Sequence, residues 1–201
     1  MKSLLSICLL FLVQIGLSQQ YLMNSPELIQ KNSVKTLTVD NCLETAICYR
    51  DQYNFNACGK VEEEFPAMVG FYVKYTYDEE CELESSLQLL HGDNKDSVYS
   101  KTSYFEIDGQ QFKVVFDPNN PETKSDSIQV KSHMDKAYGI REKEGLIESY
   151  KFKNLLFPCG IEFEGENTFM ISYTKNGLID KADVYNDRME KVLSLKYTYL
   201  Y

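Results

Sequence analysis

From Val34 onward the chain is a series of short hydrophobic runs, rich in β-branched and aromatic residues and separated by polar segments. The strongest run is Phe71–Tyr77, in which aromatic and β-branched residues fill nearly every position. Short runs of this composition between turn residues are typical of β-strands, because β-branched and aromatic side chains favour a pleated, half-buried surface. The same pattern predicts further strands at residues 34–39, 47–55, 83–90, 97–107, 111–116, 128–130, 146–156, 161–163, 169–173, 178–185 and 192–201.

Turn and helix signals separate these runs. Asp108-Gly109 predicts a hairpin turn, because glycine adopts a positive φ at little cost. Ser25 suits the cap of a short helix over residues 26–32, with a frayed lead-in as the alternative. The prolines and asparagines near residues 117–127 predict an exposed loop. Residues 133–144 have little periodicity of either kind.

The fold class that follows is mainly β. We expect a single domain over residues 34–201, built of successive antiparallel hairpins that form a curved sheet. This length is sufficient to bury a core of its own. An α+β cone-like fold is the alternative.

One spacing recurs at the predicted turns. It consists of an aromatic residue, three residues, a glycine, one residue and an apolar side chain. Phe55–Val61 and Tyr173–Ile179 have this form, and Tyr77–Leu83 matches it with Cys81 in the glycine position. Residues 105–111 and 141–147 fit it in part. The spacing predicts a strand that ends in an aromatic residue, a tight turn and an answering strand.

The string Tyr75-Thr76-Tyr77-Asp78, followed by a turn and Leu83, resembles a tyrosine–aspartate (RHS-type) repeat. The windows Phe55–Val61 and Tyr173–Ile179 resemble the same repeat more loosely. The resemblance implies consecutive antiparallel hairpins in an exported, surface-associated protein, and it implies no catalytic residues. Residues 169–187, with Tyr185 and Asp187 at their end, are similar to the closing strands of the nuclear transport factor 2-like fold. That second resemblance implies a cone-shaped pocket for a small ligand or a substrate.

Residues 1–18 have the order of a secretory signal peptide. Lys2 supplies a positive start, residues 4–17 are mostly apolar, and Gly16-Leu17-Ser18 places small residues before a cut at Gln19. The apolar run is shorter than the roughly 20 residues that a membrane-spanning helix needs. We therefore expect a secreted, periplasmic or cell-envelope protein that no longer has a spanning segment after signal removal. Residues 19–33 are a polar lead-in.

Export changes the interpretation of the cysteines. Beyond Cys8 of the signal, the disulfide candidates are Cys42, Cys48, Cys58, Cys81 and Cys159. Disulfides are the default in an oxidising compartment, and an odd number leaves at least one thiol free or paired with another molecule. Spacing does not fix the connectivity. We expect one bridge among Cys42, Cys48 and Cys58, with Cys159 unpaired or reaching back over the sheet.

Composition restricts the partners. The formal net charge is −9 at pH 7, so the surface repels nucleic-acid phosphates and anionic membranes. There are fifteen tyrosines, eleven phenylalanines and no tryptophan. An exposed tyrosine face would provide contact area for an unknown protein or glycan partner. The residues predicted to form such a face are Tyr75, Tyr77, Tyr173 and Tyr185.

No pattern in the chain marks a catalytic centre, a cofactor or a metal. His91 and His133 are separate and lie among polar residues, which indicates solvated loops. The acidic segments at residues 93–96 and 117–122 lack the spacing of an EF-hand loop. The leading hypothesis is a non-catalytic interaction or structural module.

Two other hypotheses stay open from the sequence. A cone-fold ligand carrier or enzyme would enclose His91 or His133 in a cavity beside a carboxylate. A small outer-membrane barrel is suggested by the alternating, aromatic-terminated residues 195–201.

Overall fold

The computed structural model describes residues 23–44, 48–67, 70–91, 96–118, 120–130, 137–156 and 162–201. The predicted signal at residues 1–18, together with His133 and Cys159, lies outside these described residues. Within them, the chain forms one short helix and a series of strands. These are α1 (Pro26–Lys31), β1 (Thr36–Leu43), β2 (Cys48–Phe55), β3 (Val61–Phe65), β4 (Phe71–Tyr77), β5 (Leu83–Leu90), β6 (Ser97–Ile107), β7 (Gln110–Asp117), β8 (Asn120–Lys124), β9 (Ile128–Gln129), β10 (Tyr138–Lys143), β11 (Leu146–Leu156), β12 (Glu162–Tyr173), β13 (Ile179–Tyr185) and β14 (Lys191–Leu200).

The predicted mainly β fold of successive antiparallel hairpins is confirmed. The strands follow the hydrogen-bonded order β10-β11-β12-β13-β14-β1-β2-β3-β4-β5-β6-β7-β8, and β9 pairs with β7. Consecutive strands are neighbours in the sheet from β1 to β8 and again from β10 to β14, as short hairpin connections require. The two series meet where β14, the last strand of the sequence, lies beside β1, the first. The α+β alternative is not what the described residues form, since their helix spans only six residues.

The chain forms two compact units. The C-terminal unit contains the described residues of Cys42–Cys48 and Ser132–Lys196, with Met23 and Asn24. Its core is aromatic and aliphatic: the Tyr150 and Phe169 rings stack with centroids 4.7 Å apart, and Phe152 meets both edge-on. Leu178, Val184 and Leu195 are fully buried there.

The N-terminal unit contains Ser25–Asn41, Tyr49–Lys131 and Tyr197–Tyr201. Its buried positions include Leu37 and Val39 of β1, but many others are polar. Except for Asn167, all the buried polar residues of the described chain lie in this unit. They are Asn41, Asp51, Glu64, Ser86, Ser100, Thr102 and Lys113.

Helix α1 begins where the sequence predicts and ends one residue earlier, at Lys31. Ser25 is the N-cap and its hydroxyl accepts from the Leu28 amide, while Pro26 occupies the first turn. The helix lies against the β2–β3 turn, where Gln30 Nε2 donates to the Ala57 carbonyl at 3.0 Å. A side chain at Gly59 would meet the Pro26 carbonyl oxygen at 2.1 Å, so this contact requires glycine.

The recurring spacing corresponds to one hairpin turn. In each turn the residue after the aromatic is bonded through both its amide and its carbonyl: the Asn56 amide donates to the Lys60 carbonyl at 2.9 Å, and the Asn56 carbonyl accepts from the Gly59 amide at 3.0 Å. The fourth turn residue adopts a positive φ. This is a type I turn followed by a left-handed residue, a common three-residue hairpin loop. The left-handed positions are Gly59 (73°), Cys81 (66°), Gly177 (81°) and, in a fourth turn that the spacing did not reveal, Met189 (60°).

The two partial matches contain a different turn. Ile107 pairs with Gln110 across Asp108-Gly109, and both turn residues have positive φ. Glu144-Gly145 joins β10 to β11 in the same way. Two consecutive left-handed residues are the requirement of a two-residue hairpin loop, so these loops are one residue shorter than the recurring three-residue loop.

Three strands differ from the sequence expectation. β8 lies inside the segment expected to be an exposed loop, and its proline is tolerated because β8 is the last strand at one end of the sheet order. β10 lies where the sequence has little periodicity, since all six of its residues are exposed and carry no burial pattern. β3 was not predicted, because its sequence Val-Glu-Glu-Glu-Phe resembles a solvated acidic run.

The predicted strands at residues 161–163 and 169–173 are parts of the single strand β12. A bulge at Gly165 interrupts the pattern, with φ of 81°. The backbone amide of Gly165 donates to Asn154 Oδ1 at 2.9 Å. The side-chain amide of the buried Asn167 donates to the carbonyls of Phe163 and Gly165. The bulge shifts the register of β11 against β12 after Lys153, which hides the continuity of the strand in the sequence.

Candidate functional site

Four of the five candidate cysteines form two disulfides. Cys42 at the end of β1 is bonded to Cys48 at the start of β2, and both belong to the C-terminal unit. Cys58 is bonded to Cys81 in the N-terminal unit. The expected bridge among the first three cysteines is Cys42–Cys48, and the second pairing was not foreseen.

The Cys58–Cys81 disulfide joins two turns of the same type. Cys58 lies in the β2–β3 turn and Cys81 in the β4–β5 turn. Cys81 occupies the left-handed position that glycine fills in two of the other turns, so the disulfide is made from a residue of unfavourable backbone conformation. Lys60 reinforces the junction, since its ammonium group donates to the Cys81 carbonyl and lies 5.9 Å from the Tyr77 ring centroid.

In the N-terminal unit, ionisable side chains of β2, β3 and β4 lie together on one face of the sheet. Glu64 is 3% exposed and Tyr53, its register partner on β2, is also 3% exposed. The Tyr75 hydroxyl donates to Glu64 Oε2 at 2.8 Å. Asp51, also buried, accepts from the Asn41 side chain and from the Ala67 amide. We call Asp51, Tyr53, Glu64 and Tyr75 the buried carboxyl–tyrosine cluster.

Burial controls the electrostatics of this cluster. It raises the pKa of Glu64 to about 8, and the negative charge of Asp51 acts in the same direction. The hydrogen bond from Tyr75 opposes this change but does not overcome it. Burial and the neighbouring carboxylates also raise the pKa values of Tyr53 and Tyr75. Glu64 is therefore mostly a neutral carboxylic acid at pH 7.

Lys113 of β7 is a second buried ionisable group. Its residue is 4% exposed, and it lies in register with Tyr104 of β6 on one side and with Ile128 of β9 on the other. Burial alone lowers the pKa of its ammonium group to about 8. No carboxylate among the described residues lies within ion-pair distance of it.

The four tyrosines predicted to form a partner surface are all partly buried. Tyr75 and Tyr77 share one face of β4, and the Tyr77 hydroxyl donates to the Val61 carbonyl at 2.6 Å. In the C-terminal unit, the Tyr173 hydroxyl donates to the Ile147 carbonyl at 2.8 Å. Tyr185 lies in a register row with Tyr138, Lys151 and Thr168.

Three of these four hydroxyl groups are thus bound inside the units that contain them. A partner of Tyr75, Tyr77 or Tyr173 would meet the rings rather than the hydroxyls. The surface role of the four tyrosines stays a prediction.

His91 lies beside a carboxylate but is open to solvent. Its Nδ1 lies 3.2 Å from Asp96 Oδ1, and its side chain is 83% exposed. The Tyr72 hydroxyl donates to the other Asp96 oxygen at 2.6 Å, and Lys74 lies over the Tyr72 ring. This surface network orients the imidazole without enclosing it, whereas a cone-fold catalytic pocket would enclose it.

Among the described residues there is neither a cluster of metal-ligating side chains nor a helix that could span a membrane. These residues contain no group of three or more histidine, cysteine or acidic side chains arranged to hold a metal ion. They also contain no helix of the length and hydrophobicity needed to cross a membrane.

Comparison with known proteins adds no relative: no protein-family model matches the chain, and no curated protein matches it.

The buried carboxyl–tyrosine cluster is what sequence reasoning missed. Three consecutive glutamates at residues 62–64 indicate a solvated run. The sequence carries no signal for this cluster, because the register that places Glu64 opposite Tyr53 depends on the pairing of β3 with its neighbours.

Proposed function

We propose that the chain is an exported, non-catalytic interaction or structural module of the cell envelope or extracellular space, stabilised by two disulfides. The observation that carries the proposal is the pairing of Cys42 with Cys48 and of Cys58 with Cys81. Structural disulfides persist in oxidising compartments and are rare in the cytosol. The order of charged, apolar and small residues at positions 1–18 supports the same location.

The architecture supports a non-catalytic role. Glu64 and Lys113, a carboxyl group and an amino group whose pKa values both change to about 8, are buried rather than placed on a surface that a substrate reaches. His91, which has a carboxylate partner, is solvent-exposed. A protein or glycan partner is consistent with an acidic chain rich in tyrosine, and nucleic acid is not.

We further propose that the hairpins belong to the tyrosine–aspartate type of repeat. Four turns with the same hydrogen bonds and the same left-handed position support this proposal. Each follows an aromatic residue: Phe55, Tyr77, Tyr173 and Tyr185. In the turns at Asn56, Asp78 and Asn186, the side-chain oxygen also accepts a backbone amide.

The location is tested by expressing two tagged forms in a host whose export route leads to an oxidising compartment. The full chain is expected in the exported fraction, with Cys42, Cys48, Cys58 and Cys81 protected from alkylation until reduction. The matched control begins at Gln19, and it is expected to stay in the cytoplasm with alkylatable thiols. Retention of the full chain in the cytoplasm with free thiols would overturn the proposal.

A further inference from the structure

The backbone ladder between β3 and β4 is short. It pairs Glu63 with Lys74 and Glu64 with Val73, and it extends no further along these two fully described strands. The opposite edge of β4 is paired with β5 along its whole length, from Phe71↔Leu90 to Tyr77↔Leu83. The other edge of β3 is paired with β2 from Gln52↔Phe65 to Phe55↔Val61. We call the β3–β4 boundary the seam.

Side chains of β4 also span the seam, both at the paired residues and beyond them. Tyr77 donates to the Val61 carbonyl at 2.6 Å and Tyr75 donates to Glu64 at 2.8 Å. On the opposite face of the sheet, Lys74 lies 3.0 Å from Glu63. The Tyr72 and Phe65 rings stack with centroids 5.2 Å apart. Each of these contacts is made between one residue of β3 and one of β4.

The disulfide Cys58–Cys81 closes one end of the same seam. Cys58 precedes β3 and Cys81 follows β4, so the bond joins the start of one strand to the end of the other. It lies at the end where Tyr77 reaches Val61. A covalent bond across a weakly paired boundary limits how far the two strands separate, because it removes the chain freedom that separation would gain.

We propose that the seam between β3 and β4 is an opening joint of the N-terminal unit, and that the Cys58–Cys81 disulfide is its latch. A dithiol reductant releases the latch. One of its thiolates attacks a sulfur of the disulfide, the Cys58–Cys81 bond breaks, and a mixed disulfide forms. The second thiol of the reductant then displaces the remaining cysteine. Two electrons and two protons are transferred, leaving Cys58 and Cys81 as thiols and the reductant as a disulfide.

Glu64 makes opening of the joint depend on pH as well. The groups that face it are Asp51 and Tyr53 of β2, Tyr75 of β4 and Tyr104 of β6. None of these is a cation, so an ionised Glu64 has no compensating charge among them. Loss of its proton in the closed seam therefore favours separation, which returns the carboxylate to water.

The test measures amide hydrogen exchange by mass spectrometry on the double variant Cys58→Ser/Cys81→Ser. We expect exchange of peptides covering residues 61–65 and 71–77 to rise about tenfold or more, while peptides from β6 and β7 keep their protection. The matched control Cys42→Ser/Cys48→Ser removes the other disulfide and is expected to leave residues 61–65 and 71–77 protected. Unchanged exchange at these residues in the first variant would overturn the proposal.

Two further measurements keep the test decisive if the serine variant fails to fold. Folded wild-type protein, treated briefly with dithiothreitol, is expected to gain exchange at the seam before other strands. In oxidised protein, raising the pH from 6 to 9 is expected to increase seam exchange beyond the intrinsic chemical rate, and Glu64→Gln is expected to remove that excess. Uniform loss of protection across the N-terminal unit would contradict a local joint.

Discussion

Glu64 is the residue whose environment differs most from its appearance in the sequence. It ends a run of three glutamates, yet it is buried and bonded to Tyr75, while Glu62 of the same strand is exposed. A buried carboxyl group binds its proton more tightly than an unfolded one. Folding and protonation are therefore linked at this position.

The linkage predicts that stability falls as pH rises. Between the ordinary Glu value of 4.5 and the folded value of about 8, the folded state binds more protons than the unfolded state. The free energy of unfolding should therefore decrease with pH across this window, by up to about 1.4 kcal/mol per pH unit. Urea unfolding of wild type and Glu64→Gln at pH 5 to 9 checks this, and the variant is expected to lose this decrease.

Glu62→Gln is the matched control, because Glu62 lies two residues away on the same strand and is exposed. Its pH profile is expected to follow that of wild type. A wild-type profile that is flat from pH 5 to 8, or a decrease that persists in Glu64→Gln, would contradict the buried, neutral state of Glu64.

Lys113 predicts the opposite dependence in a separate window. Its pKa is lowered to about 8, so between about 8 and the ordinary 10.5 the folded state binds fewer protons, and stability rises with pH. Lys113→Met keeps the buried stem and removes the charge. We expect it to raise the free energy of unfolding at pH 7 by about 1 kcal/mol or more and to abolish the alkaline rise. Exposed Lys124 provides the control variant Lys124→Met, for which little change is expected.

Among the elements, the turns carry the most specific sequence requirements. Gly59 combines a positive φ with close approach of the Pro26 carbonyl, whereas Gly109 has a similar φ of 75° and open space where a Cβ atom would lie, with no atom within 4 Å. Comparing alanine at the two sites separates backbone strain from steric exclusion. We expect Gly109→Ala to cost about 1 kcal/mol and Gly59→Ala about 3 kcal/mol or more, measured by chemical denaturation. Equal losses of unfolding free energy in the two variants would show that the close approach of the Pro26 carbonyl to Gly59 adds nothing to the cost of an alanine there.

The same elements show how far sequence reasoning reaches. The strands β4, β11 and β13 were predicted almost to the residue, because β-branched and aromatic residues favour the pleated, half-buried surface of a sheet. The Asp108-Gly109 turn and the Ser25 cap were predicted, since each depends on local chemistry alone. These features need no knowledge of distant residues.

What could not be predicted depends on partners distant in sequence. β3 is a strand because β2 and β4 pair with it, and its glutamates give no sign of this. The Cys58–Cys81 pairing follows from two turns lying at the same end of neighbouring hairpins, which spacing alone does not reveal. The Gly165 bulge in β12 depends on the Asn154 side chain across the hairpin.

At the scale of the whole molecule, the two units are stabilised in different ways. The C-terminal unit has a core of stacked aromatic and aliphatic side chains. The N-terminal unit buries hydroxyls, two carboxyl groups and an ammonium group, and it contains the Cys58–Cys81 disulfide. The C-terminal unit has the Cys42–Cys48 disulfide, whose cysteines are 6 residues apart in sequence, against 23 for Cys58–Cys81. Because the longer loop gives the larger entropic effect and the N-terminal unit gains less from hydrophobic burial, its disulfide contributes a larger share of its stability.

Export and disulfide bonding are tested together by peptide mapping of the exported protein. The protein is alkylated without reduction, digested and examined by mass spectrometry. We expect an N-terminus at Gln19 and disulfide-linked peptides that join Cys42 to Cys48 and Cys58 to Cys81. Recovery of these four cysteines as alkylated thiols, on a chain that retains residues 1–18, would contradict both the export and the disulfide-stabilised fold.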